Sequence, residues 1–210
     1  MNKLSSRIWL TRGFCVVFLL LLYCDSATSQ VEEGEWMLSV YGGPTMMLTD
    51  FNKKKVGWGV EYFPNYGLTK HLSLGLLTGY NASKTERDPP LANPQYSYLK
   101  VHTIPVMLVG SWHFTNSQAL SPFVYAGAGM AVVLRRDGLG NYVSDQHVQA
   151  FGLFPLGAGC EFFLKKNLSL GFDLSVRVFG TDNVEDLVRG LPDAYVLARL
   201  GVSLYHLEPD

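Results

Sequence analysis

The sequence predicts an all-β protein, an eight-stranded antiparallel up-and-down barrel that crosses a membrane. Three observations carry that prediction. Apolar and polar residues alternate with a period of two in segment after segment. The connections alternate between short and long. A secretion-type leader precedes the first strand. In Asn167–Phe179, Leu168, Leu170, Phe172, Leu174, Val176 and Val178 fall on one face. Ser169, Gly171, Asp173, Ser175 and Arg177 fall on the other. Period two means a strand. Full charges opposite an unbroken apolar stripe suit a barrel whose apolar side meets lipid.

Residues 1–29 read as a cleaved signal peptide. Lys3, Arg7 and Arg12 precede an apolar run from Phe14 to Leu22, and small polar residues follow. Ala27 and Ser29 occupy the −3 and −1 positions for cleavage before Gln30. The run is well short of the ~20 residues a spanning helix needs. Cys24 raises a lipoprotein alternative, but bulky Tyr23 before it departs from that pattern. Cleavage would leave Cys160 as the only cysteine, so no internal disulfide is expected. It would also remove Lys3, Arg7, Arg12 and Asp25, taking the formal charge from −1 to −3. The longest basic run is then Lys53-Lys54-Lys55, which gives nucleic-acid binding no support. A signal followed by membrane strands points to the outer membrane of a diderm bacterium.

A short segment, 30–35, leads into the barrel, expected over 36–207. The first strand is expected from Trp36 to about Met46. The second, Val56–Pro64, sets Val56, Trp58, Val60 and Tyr62 against Gly57, Gly59, Glu61 and Phe63. The third, His71–Asn81, sets Leu72, Leu74, Leu76, Thr78 and Tyr80 against Ser73, Gly75, Leu77, Gly79 and Asn81. The fourth, Tyr96–Phe114, contains Pro105, and the sixth, His147–Leu164, contains Pro155; each proline predicts a bulge or kink. The fifth is Ser121–Leu134, the seventh Asn167–Phe179 and the eighth Ala194–Leu207. Asn65–Lys70, Thr115–Leu120 and Lys165–Lys166 read as short turns. Met47–Lys55, Ala82–Gln95, Arg135–Gln146 and Gly180–Asp193 read as four long loops. In outer-membrane barrels the short turns are periplasmic and the long loops extracellular.

The lipid face is expected to include Val60, Leu74, Val132, Leu156, Leu174, Val176, Val202 and Leu204. Aromatic residues should form two girdles. Trp36, Tyr62, Tyr66, Trp112, Phe114, Phe123, Phe162 and Tyr205 lie near the short-turn ends. Trp58, Tyr80, Tyr96, Tyr98, Phe179 and Tyr195 lie near the long-loop ends. Gly127, Gly129, Gly157, Gly159, Gly171 and Gly201 supply small residues where a narrow barrel is crowded.

Glu61, Glu161, Asp173, Arg177 and Arg199 are expected in the lumen. The seventh and eighth strands are neighbours, so Asp173, Arg177 and Arg199 can meet. Charges shielded from water need partners, and eight strands leave just enough room for side chains. These five residues are therefore read as a structural plug rather than a selectivity filter. Glu61 and Glu161 could form an acid–base pair, but nothing else supports catalysis. His71, His102, His113, His147 and His206 are scattered and form no metal motif. His113 with Ser117 lies near a short turn, the wrong side for lipid A chemistry, and His147 has no matching nucleophile. No enzyme activity, cofactor or metal is expected.

The chain resembles the small outer-membrane β-barrel family, the porin-like and PorT-like barrels common in Bacteroidetes. The resemblance rests on Gly57–Tyr66 followed by Leu68–Leu76, and on Val101–Leu108 with its Ile-Pro step. Pro122–Gly129 and Gly157–Leu164 followed by Lys166–Leu170 complete it. It implies an eight-stranded barrel, with outer-membrane lipid and the barrel-assembly machinery as partners. Leu200–Leu207 alternates as an assembly signal does, whereas Glu208-Pro209-Asp210 depart from its aromatic end. The function expected is envelope structure or surface recognition through the long loops, their ligand unknown. The alternatives are a small-solute channel, a secretion-machine accessory of the PorT-like kind, and a soluble lipocalin-like barrel.

Overall fold

Eight strands pair in chain order and close on themselves. A computed structural model describes residues 33–48, 53–86, 98–115, 119–137, 149–180 and 193–206. The strands are β1 (Trp36–Leu48), β2 (Lys53–Gly67), β3 (Leu72–Glu86), β4 (Tyr98–His113), β5 (Leu120–Asp137), β6 (Gln149–Lys165), β7 (Leu168–Phe179) and β8 (Ala194–His206). Each pairs antiparallel with the next, and β1 closes onto β8 from Trp36↔His206 to Leu48↔Ala194. Closure leaves no edge of unpaired N–H and C=O groups, the condition for a sheet in hydrocarbon. The proposed signal, 1–29, lies outside the described residues.

Side chains alternate in and out as the period of two requires. Along β7, Ser169, Gly171, Asp173, Ser175 and Arg177 are buried, while Leu170, Phe172, Leu174, Val176 and Val178 are exposed. Val60, Leu74, Leu156, Leu174, Val176, Val202 and Leu204 all stand exposed on the outer surface, and Val132 is half-buried there. Cys160 is free and also outward, between Pro122 and Phe172. An apolar surface of this extent is foreign to a water-soluble monomer and suits a lipid-facing wall.

β1, β2, β3 and β5 run further toward the long-loop end than expected, whereas β4 and β6 begin two residues later, at Tyr98 and Gln149. Only residues 49–52 separate β1 from β2, so Met47–Lys55 is not a long loop. Three long connections remain, 87–97, 138–148 and 180–193. Lys55, Lys84, Glu86, Arg135 and Arg136 belong to strands. Past the hydrocarbon a strand needs no apolar face, so its charged composition imitates a loop.

The prolines do not make bulges. Pro105 pairs with Ala131, and the β3–β4 register is the same before it, Asn81↔Thr103, and after it, Thr78↔Val106. Pro155 pairs with Arg177, and the β5–β6 register likewise resumes unchanged. A proline removes one donor toward one neighbour and adds no residue, so the ladder skips without slipping. Register shifts occur instead between Lys55 and Trp58, and between Phe163 and Lys165.

Two corrections concern the interior. Trp36, Trp58, Tyr62, Tyr80, Trp112 and Phe114 are exposed on the outer wall, but Phe123, Phe179, Tyr195 and Tyr205 are buried inside. Being near a strand end does not set a side chain's direction; its parity does. The lumen is also less polar than expected. Leu77, expected on the inward face of its strand, is joined by Val101, Met107, Val109, Leu153 and Leu197 in one buried apolar cluster, and Met37, Phe163 and Tyr205 belong to another. A barrel this narrow fills its centre with side chains, and apolar ones need no partners there.

Candidate functional site: the charged centre of the barrel

The middle of the lumen holds four charges from three strands. Glu61 comes from β2, Asp173 and Arg177 from β7, and Arg199 from β8; all are buried. Two anions meet two cations, so the group is formally neutral. Asp173 and Arg199 are direct cross-strand partners. Arg199 Nε donates to Asp173 Oδ1 at 2.7 Å, and a second guanidinium nitrogen reaches Asp173 Oδ2. This two-pronged contact uses the planar fork of arginine. Arg199 also reaches Glu61 Oε2. Arg177 donates to the same oxygen at 2.6 Å, so Glu61 joins both guanidinium groups.

Neutral side chains complete the group. Asn81 Nδ2 donates to Glu61 Oε1 at 2.9 Å. Tyr125 donates its hydroxyl to Asp173 Oδ2 at 3.0 Å and accepts from Arg199 at 2.7 Å. Arg177 reaches Met107 Sδ at 3.5 Å, and the Arg199 guanidinium lies 5.2 Å from the centre of the Tyr41 ring. The network thus touches β1, β2, β3, β4, β5, β7 and β8. Glycine makes the room. A Cβ on Gly79, opposite Glu61, would lie 2.7 Å from Glu61 Cγ. One on Gly171 would lie 2.6 Å from the Tyr41 hydroxyl.

Glu161 of β6 belongs to a separate group. It accepts from Tyr205 at 2.5 Å, Ser203 at 2.8 Å and Tyr41 at 3.4 Å. Ser203 and Ser39 are also 2.8 Å apart. Glu61 and Glu161 therefore accept from different donors, which does not resemble a shared acid–base pair. Arg177, grouped in sequence with Asp173 and Arg199, reaches across to Glu61 instead. Tyr41, Tyr125, Tyr205 and Asn81 were not picked out from sequence as partners. Their signal was inward parity, which does not reveal which inward residues meet.

Between the two groups lies a cavity of ≈ 20 Å³, room for about one water. Ser39, Asn65, Ser111, His113 and Glu161 line part of it. His113 is buried with Nδ1 3.4 Å from Ser121 Oγ, and its carbonyl lies 2.9 Å from His71 Nδ1. Ser117 and His147 lie outside the described residues. Among the described residues no group of histidine, cysteine and carboxylate side chains is placed to hold a metal.

No protein-family model matches the chain, and no curated protein matches it. Solved structures do. The chain is similar to Neisserial surface protein A (NspA), at 14% identity and a TM-score of 0.56, covering 82% of this chain and 99% of that one. It is similar to the N-terminal β-barrel domain of Pseudomonas aeruginosa OprF, at 18% identity and a TM-score of 0.51, covering 83% and 98%. It is also similar to Ail, the attachment invasion locus protein of Yersinia pestis, at 14% identity and 0.51, covering 83% and 99%. At these identities the likeness is one of fold. The fold is that of the small outer-membrane β-barrels, and the apolar outer wall suits the same setting.

Proposed function

We propose that this protein is a closed, non-enzymatic outer-membrane barrel that serves envelope structure or surface recognition rather than transport. One observation carries the reading: the network of Glu61, Asp173, Arg177 and Arg199 crosses the lumen at mid-height and leaves a cavity of only ≈ 20 Å³ beside it. A passage for solutes needs a continuous water-filled path, and side chains from seven strands stand in this one. With transport and catalysis disfavoured, the surface at the long-loop end is the part left to act. Loops on a rigid scaffold are where recognition usually resides. The Bacteroidetes PorT-like reading is a rival to this proposal, in which the loops or turns engage secretion machinery. The leader and the assembly machinery complete the proposal: export through 1–29, then insertion by the pathway that reads the last strand.

Planar-bilayer recording of the refolded protein tests the proposal. The expected result is no unitary conductance steps in the wild type, with a barrel verified by a band that shifts on boiling in a denaturing gel. Reproducible steps from the wild type would overturn the closed reading in favour of the channel. A soluble protein with no heat shift would overturn the membrane reading itself.

A further inference from the structure

Glu161 is a buried carboxylate with no cation beside it. It comes from β6 and is 1% exposed. Its oxygens accept from the hydroxyls of Tyr205, Ser203 and Tyr41, and from no guanidinium or ammonium among the described residues. Three hydroxyls offset part of the lost hydration but leave the charge in place, and a buried charge needs a counter-charge. The nearby arginines do not supply one. Arg177 and Arg199 are bound to Glu61 and Asp173, and those four charges already cancel.

The cavity of ≈ 20 Å³ borders this carboxylate, and unpartnered polar groups line it. Asn65, 1% exposed, and Ser111, 2% exposed, stand on its wall with Ser39 and His113. Asn65 Oδ1 and Nδ2, Ser111 Oγ and His113 Nε2 have no hydrogen-bond partner among the described residues. Buried polar atoms rarely stay unsatisfied, so such a group marks a place where something polar binds. Hydroxyls are concentrated in this half of the lumen. Ser39, Ser203 and Ser169 follow in register on β1, β8 and β7, and Ser73 faces Ser111. Toward the long-loop end the buried residues include Val101, Val133, Leu153 and Leu197 instead.

We propose that this cavity binds one monovalent cation of sodium size, which neutralises Glu161. Its ligands would come from Glu161, the Asn65 carbonyl and the hydroxyls of Ser39 and Ser111. Oxygen donors suit hard cations, and the described residues hold no cluster of histidine, cysteine and carboxylate groups that would select a transition metal. One carboxylate matches one positive charge; a Ca²⁺ site takes six to eight oxygens, as a rule with several carboxylates among them. Room for about one water admits sodium and excludes an ion as large as caesium. Asp173 and Arg199 also border the cavity, but each already holds the other.

The test uses the full barrel folded into phosphatidylcholine vesicles formed in sodium, caesium or choline chloride at equal ionic strength. Reversible urea unfolding is followed by tryptophan emission. A ligand that binds only the folded state stabilises it by mass action, so the wild-type midpoint should lie roughly 0.5 M urea higher in sodium than in choline. Caesium should behave as choline does. Glu161→Gln and Ser111→Ala should each lose most of the difference, whereas Lys165→Gln/Lys166→Gln, at the short-turn end, should keep it. Equal wild-type midpoints in all three salts overturn the site and assign the cavity to water. An undiminished sodium effect in Glu161→Gln overturns it as well, as a general effect of salt. Each variant is first checked for the heat shift, and Ser111→Ala, which deletes a single hydroxyl, decides the matter where Glu161→Gln does not fold.

Discussion

Removing Arg177 should unbalance the centre of the barrel, and removing Glu61 with it should restore the balance. Arg177 is fully buried and donates to Glu61 Oε2 at 2.6 Å. Arg177→Met keeps much of the volume but leaves Glu61 and Asp173 facing Arg199 alone. The buried group then passes from neutral to a net charge of −1. Breaking a buried pair by deleting one partner costs about 3–5 kcal/mol, because the other charge stays behind. Glu61 keeps Arg199 and Asn81, so the lower end of that range, about 3 kcal/mol, is expected here. In Glu61→Gln/Arg177→Met the remaining charges are Asp173 and Arg199, still paired through two nitrogens, and Gln can keep the contact to Asn81. Most of the loss should return, with a coupling of about 1–3 kcal/mol between the two sites. The assay is reversible urea unfolding in phospholipid vesicles, read by the heat-shifted band and by tryptophan emission. Strictly additive effects of the two substitutions, or a single-variant loss below about 1 kcal/mol, would refute the claim that these charges act as one unit.

Other predictions test the packing and the lipid face. Gly171→Ala should destabilise the barrel by about 1–3 kcal/mol through contact with the Tyr41 ring, and less in a Tyr41→Ala background, measured in the same unfolding series. Leu174→Arg places a charge on the exposed apolar wall and should cost about 2–4 kcal/mol in vesicles if that wall meets the bilayer core. An unchanged midpoint would place the residue in water. Cys160, free and outward, should resist a charged, membrane-impermeant maleimide in vesicles and react fully after boiling in detergent, followed by mass shift. Rapid labelling of the folded protein would mean that this stretch of β6 is not covered by lipid.

The legible part of this fold was the part written in local alternation. Each of the eight strands could be found, and the faces of β7 assigned residue by residue, because a strand's period is a property of the residues beside one another. Strand ends were harder. Lys84, Glu86, Arg135 and Arg136 look like loop residues, yet hydrogen bonding to neighbouring strands carries them beyond the apolar zone. Pro105 and Pro155 look like interruptions, yet each costs a ladder only one donor. Phe179 and Tyr195 sit at the expected level of an aromatic girdle but have inward parity, and they pack together with ring centres 5.7 Å apart. The glycines were legible as small inward residues; that Gly171 underlies Tyr41 was not.

By itself, the amino-acid order determined the class of fold, the number of strands, the apolar side of strands such as β7 and five of the charges that turn inward. These follow from interactions within a few residues along the chain. It did not give Arg135, Asp137 and Asp193, which are buried too and read as loop residues. Only the closed barrel decided which inward groups meet. Asp173 finds Arg199 on the next strand, but Arg177 finds Glu61, 116 positions away in sequence. Glu161 finds three hydroxyl groups and no guanidinium. The same closure lines up Lys55, Lys84, Lys100 and Arg136 on the outer wall, though they come from four strands. Partners across a lumen and rows across a sheet depend on strand tilt and register. Those are set when every backbone group must find a partner at once, a condition on the whole ring that no single segment contains.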